Sequence, residues 1–166
     1  AAHGGLSEQF AAHDLERRYV ALVWGHPNPR DGRIEGNIGR NPQVRKKFSV
    51  VPAPHGKHAV TNFTTLSRLG PAASMVECRL ETGRTHQIRV HMTHLGHPLI
   101  GDPVYGKPTR ARLSKLSGDA VDFLKGFTRQ ALHAQVLGFR HPVTGSQMSF
   151  TSELPEDMSS LKRVLE

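Results

Sequence analysis

LETGRTHQIRVHMTHLGH, Leu80 to His97, places a turn, a helix and a stop signal in eighteen residues. Thr85 can cap a helix that runs to about Leu95, where Gly96 and Pro98 end it. At about 100° per residue, Ile88, Met92 and Leu95 fall on one stripe and Arg89 lies roughly a quarter turn away. A residue on that flank is half buried. Its guanidinium can be held against a cleft wall as a permanently charged fork for a carboxylate or phosphate. The competing outcome is an arginine lying along the surface of its own helix. Arg84 precedes the helix in the turn Glu81-Thr82-Gly83, whose free backbone N–H groups favour an anion.

Outward from this stretch the pattern changes from helical to extended. Val60–Arg68 and Met75–Glu81 read as two strands joined by a turn around Gly70-Pro71. His133–Arg140 and Gln147–Thr151 read as a second hairpin around Val143-Thr144-Gly145. Near the start, Leu6 to Glu16 has helix-forming composition, and RRYVALVWG continues as a buried strand with aromatic and β-branched residues on both faces. Val121–Phe127 and Leu154–Glu166 complete the set as helices. His26 to Lys57 is a loop-rich excursion with short strand-like pieces such as KFSVV, and Pro103 to Ser117 is a second basic loop. No internal repeat or composition shift marks a boundary, so residues 1–166 form one domain, long enough to bury roughly 70% of the surface of the unfolded chain.

Charge narrows the partner. Lys and Arg number 22 against 14 Asp and Glu, a formal net charge of +8. That balance suits a polyanion, either nucleic acid or an acidic membrane surface. Arg40, Arg45, Lys46 and Lys47 sit on the loop-rich segment, where cations on extended backbone can follow a phosphate chain. Cys78 is the single cysteine, which excludes a disulfide framework and a cysteine-based zinc site and fits a reducing cytoplasm. No apolar run approaches the length of a membrane span.

Other constellations carry less. His91 and His94 share a helix face, but His97 lies beyond the stop and no carboxylate lies within the run, so no metal is expected. GDPVYGKP, Gly101 to Pro108, imitates a phosphate-binding loop, yet Pro108 stands where the magnesium-binding hydroxyl belongs and Asp102 puts a negative charge in the cradle. A turn is the better assignment. Tyr19, on the first strand, suits either a core edge or a platform for a base.

LETGRTHQIRVHMTHLGHPLIGDPVYG resembles the C-terminal signature of RluA/RluD-type ribosomal large-subunit pseudouridine synthases. ERRYVALVWG resembles the family's tyrosine-bearing strand; IGRNPQVRKKF and GKHAVTNF resemble its basic connector and next strand. RQALHAQVLGFRHPVTG and LPEDM resemble its last hairpin and helix. The resemblance implies an α+β fold with a mixed, mainly antiparallel sheet flanked by helices. It implies isomerisation of uridine to pseudouridine in RNA, most simply 23S rRNA, on a flipped-out base and without a cofactor. By motif position Tyr19 would pack on the target uracil and Arg89 would pair with the catalytic carboxylate. Ile88 would line the base pocket, and Arg84, His86 and Gln87 would meet the substrate.

The family's nucleophilic aspartate lies in an H-R-L-D type motif upstream of the tyrosine strand, and that motif does not occur in this chain. Asp14, Asp31, Asp102, Asp119, Asp122 and Asp157 stand in other contexts. The expectation is therefore a C-terminal portion of a catalytic domain, inactive alone, whose partners are RNA, the rest of its own domain and an S4-type domain. The alternative is a non-catalytic RNA-binding module that keeps the basic cleft.

Overall fold

The computed structural model describes residues 2–12 and 15–166. The chain begins with α1 (Ala2–Ala11), and β1 (Glu16–Trp24) comes next. The helix expected from Leu6 begins four residues earlier, and Asp14 lies outside the described residues.

β1 is the spine of the fold. Leu22 and Trp24 enter one core cluster and Ala21 and Val23 another, so the strand's alternating side chains are buried on both faces. It lies between β6 (Ala73–Leu80) and β7 (Leu132–Arg140). β2 (Asp31–Glu35), β5 (Val60–Leu69) and β8 (Gln147–Thr151) complete a six-stranded sheet in the order β2-β5-β6-β1-β7-β8. Every pairing in it is antiparallel, in keeping with the α+β fold and mainly antiparallel sheet that the resemblance implies.

On one face α5 (Glu156–Leu165) packs into the cluster of Leu22, Trp24, Leu69 and Ile100 through Met158, Leu161 and Leu165, and α4 (Gly118–Gly126) packs against it through Phe123 and Leu124. On the other lies α2 (Gln87–His94), whose Ile88 and Met92 meet Val23, Phe63, Val76 and Cys78. A separate hairpin of β3 (Asn37–Arg40) and β4 (Phe48–Val51) covers the outer side of α2 through Ile38, Ala59 and Val90. A short helix, α3 (Arg110–Leu113), interrupts the second basic loop, with Thr109 accepting a hydrogen bond from Arg112 N.

That hairpin changes the expected face of α2. Residues Gln87 to Met92 are all buried, whereas Leu95, expected on the apolar stripe, is 37% exposed. A helix held between a sheet and a hairpin has two apolar sides, and a single stripe describes only one of them. Nor does Thr85 cap it. The cap position is His86, in the left-handed region at φ 55° with no side-chain cap bond.

A directed hydrogen-bond relay fastens α2 to the sheet. Gln87 Nε2 donates to Val60 O and Thr61 Oγ1, at 2.9 and 3.0 Å. Its Oε1 accepts from Thr82 Oγ1 and Arg84 N, at 2.7 and 2.9 Å. Thr61 in turn donates to His91 Nδ1 at 2.8 Å, which leaves Nε2–H to donate to Gly36 O at 3.1 Å. This polarity requires a neutral imidazole, and burial pushes the His91 pKa below its ordinary value, with nearby His94 adding to the effect.

Leu99 to Gly106 is held by backbone proximity. Trp24 N donates to Pro98 O and the Trp24 indole to Gly106 O. A Cβ at Gly106 would lie 2.0 Å from Leu99 O, and one at Gly101, which has φ +76°, would lie 2.2 Å from Arg129 O.

Gly106→Ala is therefore expected to cost on the order of 3 kcal/mol in urea unfolding. Gly118→Ala, into open space at the start of α4, should lose nothing measurable. His91 sets a pH dependence. Its stabilisation is present above the unfolded-state pKa near 6.5 and is lost as the pH falls from there through the depressed folded-state value. Stability should fall by up to about 1.4 kcal/mol per pH unit in that window, and His91→Asn should flatten the profile.

Candidate active site

Arg89 occupies the third position of α2 and is 8% exposed rather than half buried. Its Nε donates to Asp102 Oδ2 at 2.7 Å and its Nη2 to Asp102 Oδ1 at 2.9 Å, a two-pronged ion pair across the core. Asp102 Oδ1 also accepts from Val104 N and Tyr105 N, at 2.9 and 3.1 Å. Burial alone would raise the Asp102 pKa, but the guanidinium and the two backbone N–H groups outweigh it and hold the carboxyl below its ordinary range. Hydrogen bonding to Asp102 in turn holds Arg89 charged.

Tyr105 completes the enclosure. Its ring lies 5.1 Å from the Arg89 guanidinium carbon, a cation–π contact. Its hydroxyl accepts from Phe48 N at 2.9 Å and donates to His86 Nδ1 at 3.1 Å. The His86 ring stands edge-on between Phe48 and Tyr105, with centroids 5.4 and 5.8 Å away. These contacts hold its left-handed backbone, the one non-glycine residue of positive φ among the described residues. Desolvation and the neighbouring Arg89 lower the His86 pKa, which keeps it a neutral acceptor for the tyrosine.

The other expected residues divide into two groups. Tyr19, half-buried on β1, packs on the same apolar cluster as Ile88, so these two and Arg89 stand on one side of the sheet. Gln87, expected to meet a substrate, is 3% exposed and spends both amide ends inside the protein. Arg84 is half-buried, with Nε donating to His58 O at 2.8 Å. It lines a cleft of about 330 Å³ with Arg40, Lys57 and Phe48. Arg40, Arg45 and Lys46 are exposed and Lys47 half-buried on the β3–β4 hairpin. Among the described residues none of these four has a carboxylate partner.

The sequence assigns Gly101 to Pro108 to a turn and so gives Asp102 and Tyr105 no role at the site. One signal was available: from Thr82 to Gly118 Asp102 is the single acid, and a buried Arg89 needs a counterion. Among the described residues no three His, Cys, Asp or Glu side chains are grouped to hold a metal. No described helix is long and apolar enough to cross a membrane. Cys78 is buried in the sheet, and burial pushes its thiol up to about 12, too high for a nucleophile.

Comparison with known proteins adds to this geometry. The chain is 47% identical over 164 residues to a ribosomal large subunit pseudouridine synthase D of Zymomonas mobilis, covering 99% of this chain and 49% of that protein. It is 38% identical over 177 residues to the chloroplastic RNA pseudouridine synthase 2 of Arabidopsis thaliana, covering 99% and 41%. The chain thus spans about half the length of the curated relatives it matches. A solved human structure, RNA pseudouridylate synthase domain containing 1, aligns with TM-score 0.70 at 26% identity, covering 90% of this chain and 59% of that one. A family model described as RNA pseudouridylate synthase matches residues 1–94, more than half of the sequence and the part that carries Tyr19, Ile88 and Arg89. The chain belongs to the RNA pseudouridylate synthase family.

Proposed function

We propose that this chain is the C-terminal portion of the catalytic domain of an enzyme that converts uridine to pseudouridine in RNA of the large ribosomal subunit. The observation that carries this reading is the placement of Arg89. It is buried beside the cluster that joins Ile88 to Tyr19, and it is held charged by an acid that already occupies one edge of its guanidinium. The reaction breaks the bond between uracil N1 and C1′ of the ribose and forms one from C1′ to C5; C5 gives up a proton and N1 takes one, so the isomerisation is balanced with no oxidant or reductant.

The nucleophile is a carboxylate supplied by the part of the domain that precedes this chain. Arg89 keeps that carboxylate ionised by proximity, as an opposite charge within a few ångström does. Tyr19 packs on the flipped uracil and Ile88 lines the pocket behind it. Arg84 and the hairpin cations Arg40, Arg45, Lys46 and Lys47 bind the phosphate backbone on either side. Catalysis takes place in the cytoplasm, with an S4-type domain adding affinity for RNA.

Full-length protein is expected to release tritium from rRNA carrying 5-tritiated uridine, and the 166-residue chain alone to release none. No release by the full-length protein would refute the reading. Activity of the isolated chain would refute the placement of the nucleophile outside it. Alanine at Arg40, Arg45, Lys46 and Lys47 together should weaken RNA binding and shallow the slope of log affinity against log salt. The slope should change by about 0.7 for each single-strand phosphate that is no longer neutralised. An unchanged slope in filter-binding titrations would remove the hairpin from the interface.

A further inference from the structure

Between the loop after β1 and the second half of β5 lies a cavity of about 330 Å³ lined by His26, Pro27, Arg30, Thr65 and Arg68. Pro27 and Thr65 are buried and form its floor, His26 is half-buried, and Arg30 and Arg68 are exposed at the rim. The register puts this cavity on the face of the sheet that carries Tyr19 and Ile88. Thr65 lies two residues beyond Phe63 on β5, and Arg68 shares a row with Ser74 and Val23. Tyr19 stands four residues before Val23 on β1, about 13 Å along the strand.

Among the described residues neither Arg30 nor Arg68 has a carboxylate partner. Further along the same edge of the sheet Arg33 meets both Glu35 and Glu81. Asp31, next to Arg30, pairs with Thr64 and so stands on the opposite face. Arg30 is pinned over the cavity. Its Nη2 donates to Thr65 O at 3.0 Å and Thr65 N donates to Arg30 O at 2.8 Å, which leaves Nε and Nη1 for a ligand. Ser74 Oγ donates to Gly25 O at 2.8 Å and accepts from His26 Nδ1 at 2.9 Å, which fixes the imidazole as a wall. Burial, and after it the charge of Arg68, pushes the His26 pKa below its ordinary value, with Lys115 and His97 adding to the positive field. Thr65 is 4% exposed, and its hydroxyl is buried without a hydrogen-bond partner among the described residues. Such a group is costly to leave unmatched.

We propose that this cavity is a phosphate-binding site separate from the β3–β4 hairpin, in which Arg30 and Arg68 close on the anion from the rim and the Thr65 hydroxyl donates to it from the floor. A phosphate group supplies what each of these lacks: oxygens for two guanidinium forks and an acceptor for the hydroxyl. Solvated surface arginines would account for the charge at the rim, but not for an unmatched hydroxyl buried beneath it. Pinning Arg30 before the ligand arrives also lowers the rotamer freedom lost on binding. The backbone of a bound RNA strand presents such a group, and that source rests on the function proposed above. A small phosphate-bearing ligand is the other source.

Inorganic phosphate titrated into the full-length protein should move the His26 ring signals in 13C spectra and saturate. Chloride at matched ionic strength should not, and an equal response to chloride overturns the site. Arg68→Gln, at an exposed position, should weaken phosphate binding by about 10-fold, as loss of a charge-assisted hydrogen bond does. Thr65→Val should weaken it by a smaller factor and unfold in urea no earlier than wild type, because the hydroxyl it removes has no partner in the fold. Unchanged phosphate affinity in Arg68→Gln overturns the site, and unchanged affinity in Thr65→Val removes the hydroxyl from it. These titrations need no turnover, so they fail or succeed apart from the proposed activity. The RNA arm is read in filter binding. There Arg68→Gln should lower the slope of log affinity against log salt by about 0.7, one single-strand phosphate. That change should add to the one produced by the hairpin alanines, since the two sets share no residue. The kcat for tritium release should stay within about 3-fold of wild type, because Arg68 lies away from the reacting base. An unchanged slope in a variant that has lost phosphate affinity overturns the RNA source and assigns the cavity to a small phosphate-bearing ligand.

Discussion

A charged guanidinium inside a protein needs an opposite charge and a hydrogen bond for most of its donors, and around that demand the site of this molecule is built. Arg89 comes from a helix, Asp102 from a loop and Tyr105 from three residues further along that loop. Bringing them together requires the loop to lie against β1, which the Leu99 bridge and the Trp24 indole accomplish. It also requires α2 to lie against β5, which Gln87 and His91 accomplish through Thr61. Two buried polar systems thus converge on one short helix, and both are anchored in the same sheet.

The coupling between them has a direction. Gln87 and His91 are on the side of α2 that faces the sheet, where every donor finds an acceptor within the fold. Arg89 projects toward the loop, where the carboxylate takes only part of its capacity. Full satisfaction on one side makes the helix a rigid mount. Partial satisfaction on the other leaves a charged group that a second anion can address. His86 stands at the junction, its left-handed backbone stabilised by rings from β4 and the loop, so the approach to α2 is shaped by the hairpin as well as by the sheet.

Much of this architecture was legible in the residues alone. Both large hairpins, the strand with two buried faces and the helix after Gly83 come from period-2 and period-3.6 patterns broken by glycine and proline. β2 and β3 were harder. DGRIE and NIGR are short, charged and separated by a single residue, and their strand character comes from pairing with β5 and β4 rather than from their own composition. The apolar positions of α2 misled in a similar way. A helix wheel can show which residues are apolar, but it cannot show that a hairpin closes over the far side and buries Val90 as well. Arg89 itself could be assigned only through its motif, since spacing left it poised between cleft and surface. Asp102 needed the opposite logic: its charge argued against a phosphate site, and only charge balance around a buried arginine would have given it a role.

Charge balance also separates the two surfaces of the site. Inside, Arg89 and Asp102 cancel, so burying them costs far less than burying either alone. On the β3–β4 hairpin the cations stand uncancelled, and one of them, Arg40, lies over the Phe48 ring at 5.1 Å. Phe48 is in turn packed edge-on against His86, which bonds to Tyr105 beneath Arg89. A chain of packed rings therefore runs from an exposed cationic hairpin to the buried guanidinium. The rings thus connect the two charge environments by direct packing rather than through the sheet.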